Sequence, residues 1–553
     1  MNGWIRWAGC ALAATLLGSP VLAAGRPNIL IFVAEDLSGR IGAFGDPVAS
    51  TPQIDRLAGQ GVRYPNTFTT AGVCAPSRAA LIMGTHQISF GAQHMRTSSR
   101  PGGGYTSVPP PEMKAFPELL RAAGYHTFVS QKLDYQFSGV FNGSGPFTIW
   151  DAEGVESWQG RPDGAPFFGM INLQETHESG VFRPLGSWPH SAMHFVMQLL
   201  VAYRDGLSSA EPATDPSAIG LPPYYPDTPG VREDLARHYD NIARMDTHVG
   251  EILANLEADG LADSTIVVWT TDHGDGLPRA KRELYDSGIR VPMIIRWPEA
   301  LRPEGVAPGD VDARLVSFVD LAPTILEWAG APKPGWLHGW SLRGDARRYI
   351  HASRDRIDEV QDRQRAIRDA RFKYIRSWHP EQPGGHRLAF RDNLESMRDL
   401  WRLREAGELD AAQSRWFEPP GAERLFDLDR DPHELRDVGT DPAYAADLAR
   451  MRGALDAWLE RVGDTSERSE DEMVAAFWPG GEQLVTPAPV LEVVSGRVAI
   501  RTATEGASIG YRLGDGAWKL YTGPFALPPG RSVSAKAVRY GWQESETRSL
   551  TDP

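Results

Sequence analysis

Near-continuous apolar runs recur along the first half of the chain, at 28–33, 127–129, 167–171 and 265–269. Runs without polar alternation predict strands buried on both faces, as in a sheet covered by helices. The stretch 232–256 has a different period. Leu235, Ile242, Met245, Val249, Ile252 and Leu253 fall at helical spacing and predict one long helix. Short strands alternating with helical segments predict an α/β class: a large mixed sheet flanked by helices.

Beyond about residue 340 the pattern changes. Residues 371–376 alternate like a strand with one wet face, and 423–428 is a second such piece. Together they predict a smaller antiparallel subdomain. From about 485 the chain reads as short strands at 493–500, 507–513, 517–521 and 533–538, with the Gly514-Asp515-Gly516 turn between two of them. This is the pattern of a small β-sandwich, appended through a Pro-containing linker. The Pro- and Tyr-rich segment 210–229 reads as a surface loop, a candidate rim of a site, with Tyr224 and Tyr225 available to stack on a flat ligand.

The amino-terminal residues read as an export signal: Arg6 as the charged region, 7–17 as the apolar core, and Val21-Leu22-Ala23 as the small-residue cleavage site. A lipoprotein site at Cys10 is the weaker alternative. No later stretch is apolar enough to span a bilayer. The expected organisation is a signal at 1–24, a catalytic α/β domain at 25–345, a C-terminal subdomain at 346–482 and a sandwich at 487–551, in a secreted or periplasmic protein. A chain of 553 residues with a formal net charge of -14 is an improbable partner for nucleic acid. It can bind an anion only through a local basic pocket.

Once Cys10 is removed with the signal, Cys74 is the sole cysteine, so it has no partner for an internal disulfide. A free cysteine is most often a small core residue. Four predicted strands, however, stop at chemically useful residues: Glu35-Asp36, Asp272-His273, the segment leading to His177, and Lys132 with Asp134. In open α/β sheets ligands gather at such carboxyl ends. Two acidic pairs suit a hard divalent cation, Ca²⁺ first, and a histidine among the ligands opens Mg²⁺, Mn²⁺ or Zn²⁺. Pro76 reads as the first helical residue, which sets Cys74 just before a helix N-terminus, a position that favours an anion. Arg78 at that end is placed to pair with a nucleophile or a bound anion. Lys281 is a second candidate cation.

Cys74-Ala75-Pro76-Ser77-Arg78-Ala79-Ala80-Leu81, ending in Gly84, matches C-x-P-S-R-x-x-L-x-x-G, and the chain thereby resembles the formylglycine-dependent sulfatases. The resemblance spans roughly Arg26 to the Asp431-Pro432 region. It is nearest to the heparan N-sulfatase-like branch, through Gln93-His94-Met95-Arg96, Lys132-Leu133-Asp134-Tyr135 and Thr176-His177-Glu178-Ser179. It implies an alkaline-phosphatase-like fold. It also implies that a formylglycine-generating enzyme converts Cys74 to formylglycine during maturation, and that the substrate is a sulfated carbohydrate.

By the same resemblance, Glu35, Asp36, Asp272, His273 and Cys74 form the metal site. Lys132 and Lys281 contact the sulfate with Arg282 nearby, and His177 protonates the leaving group. N-sulfoglucosamine is the first substrate to expect and an O-sulfated sugar the second. Glu35, His273 and Asp134 depart from the usual residues. Asp134 or another base must therefore assist sulfate release. His273 keeps open a phosphonate or phosphate-ester hydrolase, and Asp134 a sulfated-glycan binding protein without catalysis.

Overall fold

The computed structural model describes residues 25–551 apart from 98–99, 101, 138–145, 208 and 210. The expected signal at 1–24, with Cys10, lies outside the described residues.

Eight strands form the main sheet: β1 (Asn28–Ala34), β2 (Val62–Phe68), β3 (His126–Val129), β4 (Ala152–Glu153), β5 (Phe167–Leu173), β6 (Thr265–Thr271), β7 (Arg290–Arg296) and β8 (Val316–Ser317). Their order is β4-β3-β5-β1-β6-β7-β2-β8. The strands β4, β3, β5, β1 and β6 run parallel, whereas β7 pairs antiparallel with both β6 and β2. Every residue of β1, β5 and β6 is buried, as their unbroken apolar runs predict. Alternation along β1 builds two cores. Leu30, Phe32 and Ala34 point to the face covered by the helix Pro229–Ala258, and Ile29, Ile31 and Val33 to the face covered by Cys74–Met83 and Leu321–Trp328. Pro65 falls where the β2–β7 register slips, the bulge that tolerates a residue without an N–H.

A second, antiparallel sheet joins β9 (Ile350–Arg354), β10 (Gln364–Arg368), β11 (Phe372–Ser377) and β12 (Glu423–Asp427) in the order β12-β11-β10-β9. The strand at 371–376 has no wet face, contrary to its alternation. Ile367, Phe372 and Tyr374 pack under the helix Ala445–Val462 on one side. On the other, the Lys373 ammonium is buried between Asp286 (2.5 Å) and Glu434 (2.7 Å). Partners distant in sequence neutralise the charge, so the polar face is interior.

The tail forms two facing sheets. One is β13 (Val490–Val494), β14 (Arg497–Arg501) and β17 (Phe525–Ala526). The other is β15 (Ala507–Leu513), β16 (Lys519–Leu520), β18 (Ser532–Arg539) and β19 (Arg548–Thr551). The single strand expected at 493–500 is instead a hairpin. Ser495 (φ 52°) and Gly496 (φ 72°) turn the chain, and Val494 pairs with Arg497. Two left-handed residues between strands are the tight-turn geometry that a Ser-Gly pair supports. The 517–521 strand shrinks to Lys519–Leu520.

Among the described residues no helix is long and apolar enough to cross a membrane.

Candidate active site

Four parallel strands deliver the site. β1 runs into Glu35-Asp36, β6 into Asp272-His273, β5 toward His177, and β3 into Lys132. Cys74 is the first residue of the helix Cys74–Met83, and Val73 caps it. The helix thus starts two residues before Pro76. Proline is still tolerated there, because the first-turn N–H groups have no partner within the helix.

Cys74 Sγ lies 3.3 Å from His273 Nε2 and 3.7 Å from Asp36 Oδ1, and is buried among Val73, Ala75, Met95 and Ile357. His273 Nδ1 is 2.9 Å from the Gly274 carbonyl, which can only accept, so Nδ1 carries the proton and donates. Nε2 therefore faces Asp36 Oδ1 (3.0 Å) and Asp272 Oδ1 (3.7 Å). Burial alone would lower the His273 pKa. Asp272, Asp36 and Cys74 more than offset that and raise it to about 10. A ring that draws a second proton so strongly sits in a field made for a cation.

Asp36, Cys74, Asp272 and His273 can each offer a ligand atom within 4.8 Å of the others, and Glu35, Asp36 and His177 form an overlapping group. Both Glu35 carboxylate oxygens are buried with no hydrogen-bond donor. Carboxylate oxygens, one imidazole nitrogen and the buried Glu35 carboxylate, which accepts no hydrogen bond and is paired only by charge with Lys132 and Arg78, fit one divalent cation.

Two lysines flank this group. Lys132 Nζ is 3.3 Å from Glu35 Oε2, and Lys281 Nζ is 2.5 Å from Asp36 Oδ2 and 3.5 Å from Glu178 Oε2. Burial opposes their charge, but for Lys132 the neighbouring Glu35 and Cys74, and for Lys281 the neighbouring Asp36 and Cys74, raise both pKa values and keep both ammonium groups protonated. Asp36, Lys132 and Arg282 all hold positive φ (50°, 80° and 77°). Such conformations cost about 1–3 kcal/mol each and collect where function fixes them. Gly276 passes so close that a Cβ there would meet Asp36 Oδ2 at 3.0 Å and the Glu178 backbone at 2.9 Å.

His177 Nδ1 accepts the Ser179 backbone N–H (3.3 Å) and lies 2.8 Å from Ser179 Oγ. The neutral ring thus carries its proton on Nε2, 3.9 Å from Glu35 Oε2. Burial, then the charges of Lys281 and Lys132, hold its pKa well below 6.5. From sequence alone Ser179 had no role beyond its place in the Thr176-His177-Glu178-Ser179 string, although its offset of two from His177 is the local spacing for such a bond.

Arg78 departs from its expected role. Nε and Nη2 bind Asp272 Oδ2 at 3.1 and 3.0 Å, and Nη1 binds Asn172 Oδ1 at 2.7 Å. It fixes the Asp272 carboxylate and makes no hydrogen bond to the thiol. Arg282 spends two nitrogens on Glu178 (3.0 and 2.8 Å). Asp134 is buried and reaches Lys132 by charge rather than by a hydrogen bond. Tyr225 is also unlike its expectation. It is buried, and its hydroxyl donates to the Pro278 carbonyl (2.5 Å), while Tyr224 lies against Arg279. These rings brace the 277–279 turn instead of facing a flat ligand.

The Sulfatase family model matches residues 27–331. The chain belongs to this family. An ulvan-active sulfatase of Formosa agariphila is 38% identical over 95% of this chain and 91% of its own. The human N-sulphoglucosamine sulphohydrolase is 25% identical over 82% and 94%. Among solved structures, a 2-O GAG sulfatase shares the fold with a TM-score of 0.56, at 20% identity, over 80% of this chain and 94% of its own. The protein is thus a sulfuric ester hydrolase with the large mixed sheet of solved sulfatases, and its strand ends carry a group of side chains able to hold a metal.

Proposed function

We propose that the protein is an exported sulfatase that removes sulfate from a sulfated carbohydrate, using formylglycine at position 74 and one divalent cation. The observation that carries this is the convergence of Cys74, Asp36, Asp272 and His273 on one point, flanked by Lys132, Lys281 and His177.

Asp36, Asp272, His273 and the modified position 74 would hold the cation, Ca²⁺ first, with Glu35 adjoining. Formylglycine supplies a hydrated aldehyde, one hydroxyl of which takes the sulfuryl group while the other lets sulfate leave; the cation supplies Lewis acidity. Lys132 and Lys281 bind the sulfate oxygens and hold the charge that grows on them. His177, with Nε2 directed into the site by Ser179, takes up a proton beside the anionic sulfate and passes it from Nε2 to the departing sugar oxygen or nitrogen, returning to the neutral ring. Arg78 keeps Asp272 ionised and oriented. Asp134 reinforces the charge on Lys132.

A relative named for ulvan, at 38% identity, supports testing ulvan beside N-sulfoglucosamine, the first expectation from the sequence. The test is sulfate release over defined sulfated sugars and aryl sulfates, with an aryl phosphonate in parallel. The protein is to be co-produced with a formylglycine-generating enzyme. Turnover of aryl sulfates with every sulfated sugar inert would sink the carbohydrate reading. Faster turnover of the phosphonate would overturn the sulfatase assignment.

A further inference from the structure

At the far end of the helix Cys74–Met83, about 15 Å along its axis from Cys74, a cavity of 230 Å³ opens between the 338–351 segment, which runs into β9, and the helix Ala445–Val462. It is separate from the catalytic group. Its lining contains no aspartate or glutamate among the described residues, although the chain as a whole carries a net charge of -14.

Aromatic faces come from three elements. Trp458 stacks on His351 at 4.4 Å with rings 9° from parallel. Trp340 is 54% exposed at the mouth, and Tyr349 lines the wall. His86 and His338 complete the interior, with ring centroids 5.8 Å apart. Burial, then the neighbouring Arg347 and Arg461, lowers the His351 pKa to about 3, and burial also lowers those of His86 and His338. The imidazoles are therefore uncharged and offer donors and acceptors of the kind hydroxyl groups need.

The charge comes from arginines. Arg347 is held by Asp320, outside the cavity, and its guanidinium lies 4.7 Å over the Trp340 ring. Arg348 and Arg461 are exposed at the mouth and form no ion pair or hydrogen bond with the described residues. Arg348 only overlies its neighbour Tyr349. Cations without carboxylate partners, beside aromatic platforms and neutral imidazoles, select an anion attached to a flat apolar face with hydroxyls at its rim. A sugar ring bearing a sulfate or carboxylate has that chemistry, and the cavity is the size of one such unit.

We infer that this cavity is a second binding site, for one anionic unit of a saccharide chain whose other units reach the catalytic centre. The ligand class rests on the carbohydrate reading above; the site itself does not. Holding a polymer at two places raises the effective concentration of its sulfate groups at the catalytic centre without any new contact there.

The test uses the Arg348→Ser/Arg461→Ser pair and Trp340→Ala, each placed in Cys74→Ala protein for calorimetric titration with sulfated ulvan oligosaccharides. Their chemically desulfated form and sodium sulfate are the comparison ligands. The pair is expected to weaken one binding event by about tenfold or more, and the Arg→Lys pair to restore part of it. Trp340→Ala should weaken the same event. With Cys74 intact, the variants should release sulfate from a sulfated monosaccharide at the wild-type rate, but show a raised KM on the polymer. Equal binding by wild type and pair overturns the site, and so does equal binding of the desulfated form. If sodium sulfate binds as tightly as the oligosaccharides, the cavity is an anion hole and the saccharide assignment falls. Failure of the wild type to release sulfate from any sugar counts against the proposed function instead, and is read separately.

Discussion

His273 Nε2 stands 3.3 Å from Cys74 Sγ, aimed there by the bond from its other ring nitrogen to the Gly274 carbonyl. The ring is thus held with Nε2 facing Asp36 and Asp272, where a cation would take the place of its second proton. His273→Ala should lose metal measured by elemental analysis, and kcat should fall by about 10²–10³, the scale of one lost electrostatic contact to developing charge. Full metal content in the variant would remove His273 from the ligand set.

The Ser179–His177 pairing makes a second expectation. Because the Ser179 N–H occupies Nδ1, the proton transfer proposed for His177 runs through Nε2. His177→Gln should slow sugar sulfates by about 10²–10⁴. It should slow an aryl sulfate with an acidic leaving group far less, since that group needs no proton. Equal losses on both substrates would assign His177 to binding instead.

Arg78 is 2% exposed and bonds to Asp272 and Asn172, so its removal strands a buried carboxylate. Arg78→Ala should cost about 3–5 kcal/mol of stability, the penalty for breaking a buried pair, read as a lower urea midpoint at unchanged slope. A variant as stable as wild type but inactive would return Arg78 to direct contact with sulfate.

The apolar runs exposed the central strands because burial on both faces leaves no polar alternation to confuse them, and the polar residues at their ends come together in the fold. The string around Cys74 pointed to the family that the chain belongs to. What stayed hidden depends on pairs far apart in sequence. Arg282 meets Glu178 across 104 residues. Lys373 is buried only because Asp286 and Glu434 come to it. Tyr225 is spent on a carbonyl that no periodicity could locate. The hairpin at Ser495-Gly496 carried its own turn signal, masked by apolar residues on both flanks.

The tail sandwich is less separable than a linker implies. Glu118 accepts from Ser508 Oγ (2.5 Å) and the Tyr540 hydroxyl (2.8 Å), and Lys114 donates to the Gly506 carbonyl (2.6 Å). Tyr540 is fully buried and stacks on Phe137 at 5.4 Å. A chain ending at 484 loses an aromatic burial of about 1.5–3 kcal/mol. It also leaves Glu118 short of partners at about 1–3 kcal/mol. Its thermal midpoint should fall by several degrees. A midpoint equal to that of the full chain would show the sandwich to be an independent bead.

Asp234, on the helix Pro229–Ala258, gives the chain a pH-dependent weakness away from the site. Its side chain is fully buried; Oδ2 accepts the Ser396 N–H at 2.7 Å, and Oδ1 has no donor. Burial pushes its pKa from 3.8 up to about 7, against the Ser396 bonds and helped by Glu395 and Glu233. The folded chain therefore binds this proton more tightly than the unfolded chain does. The contribution to stability is fullest below pH 3.8, declines as the pH rises toward 7, and is gone above it. At about 1.4 kcal/mol per pKa unit, the decline amounts to a few kcal/mol. Asp234→Asn keeps an acceptor for Ser396 and has no proton to lose. The variant should gain on the wild type between pH 4 and pH 8, measured as the difference in urea midpoint at each pH. A difference that stays flat across that range would show that Asp234 ionises at an ordinary pH in the folded protein.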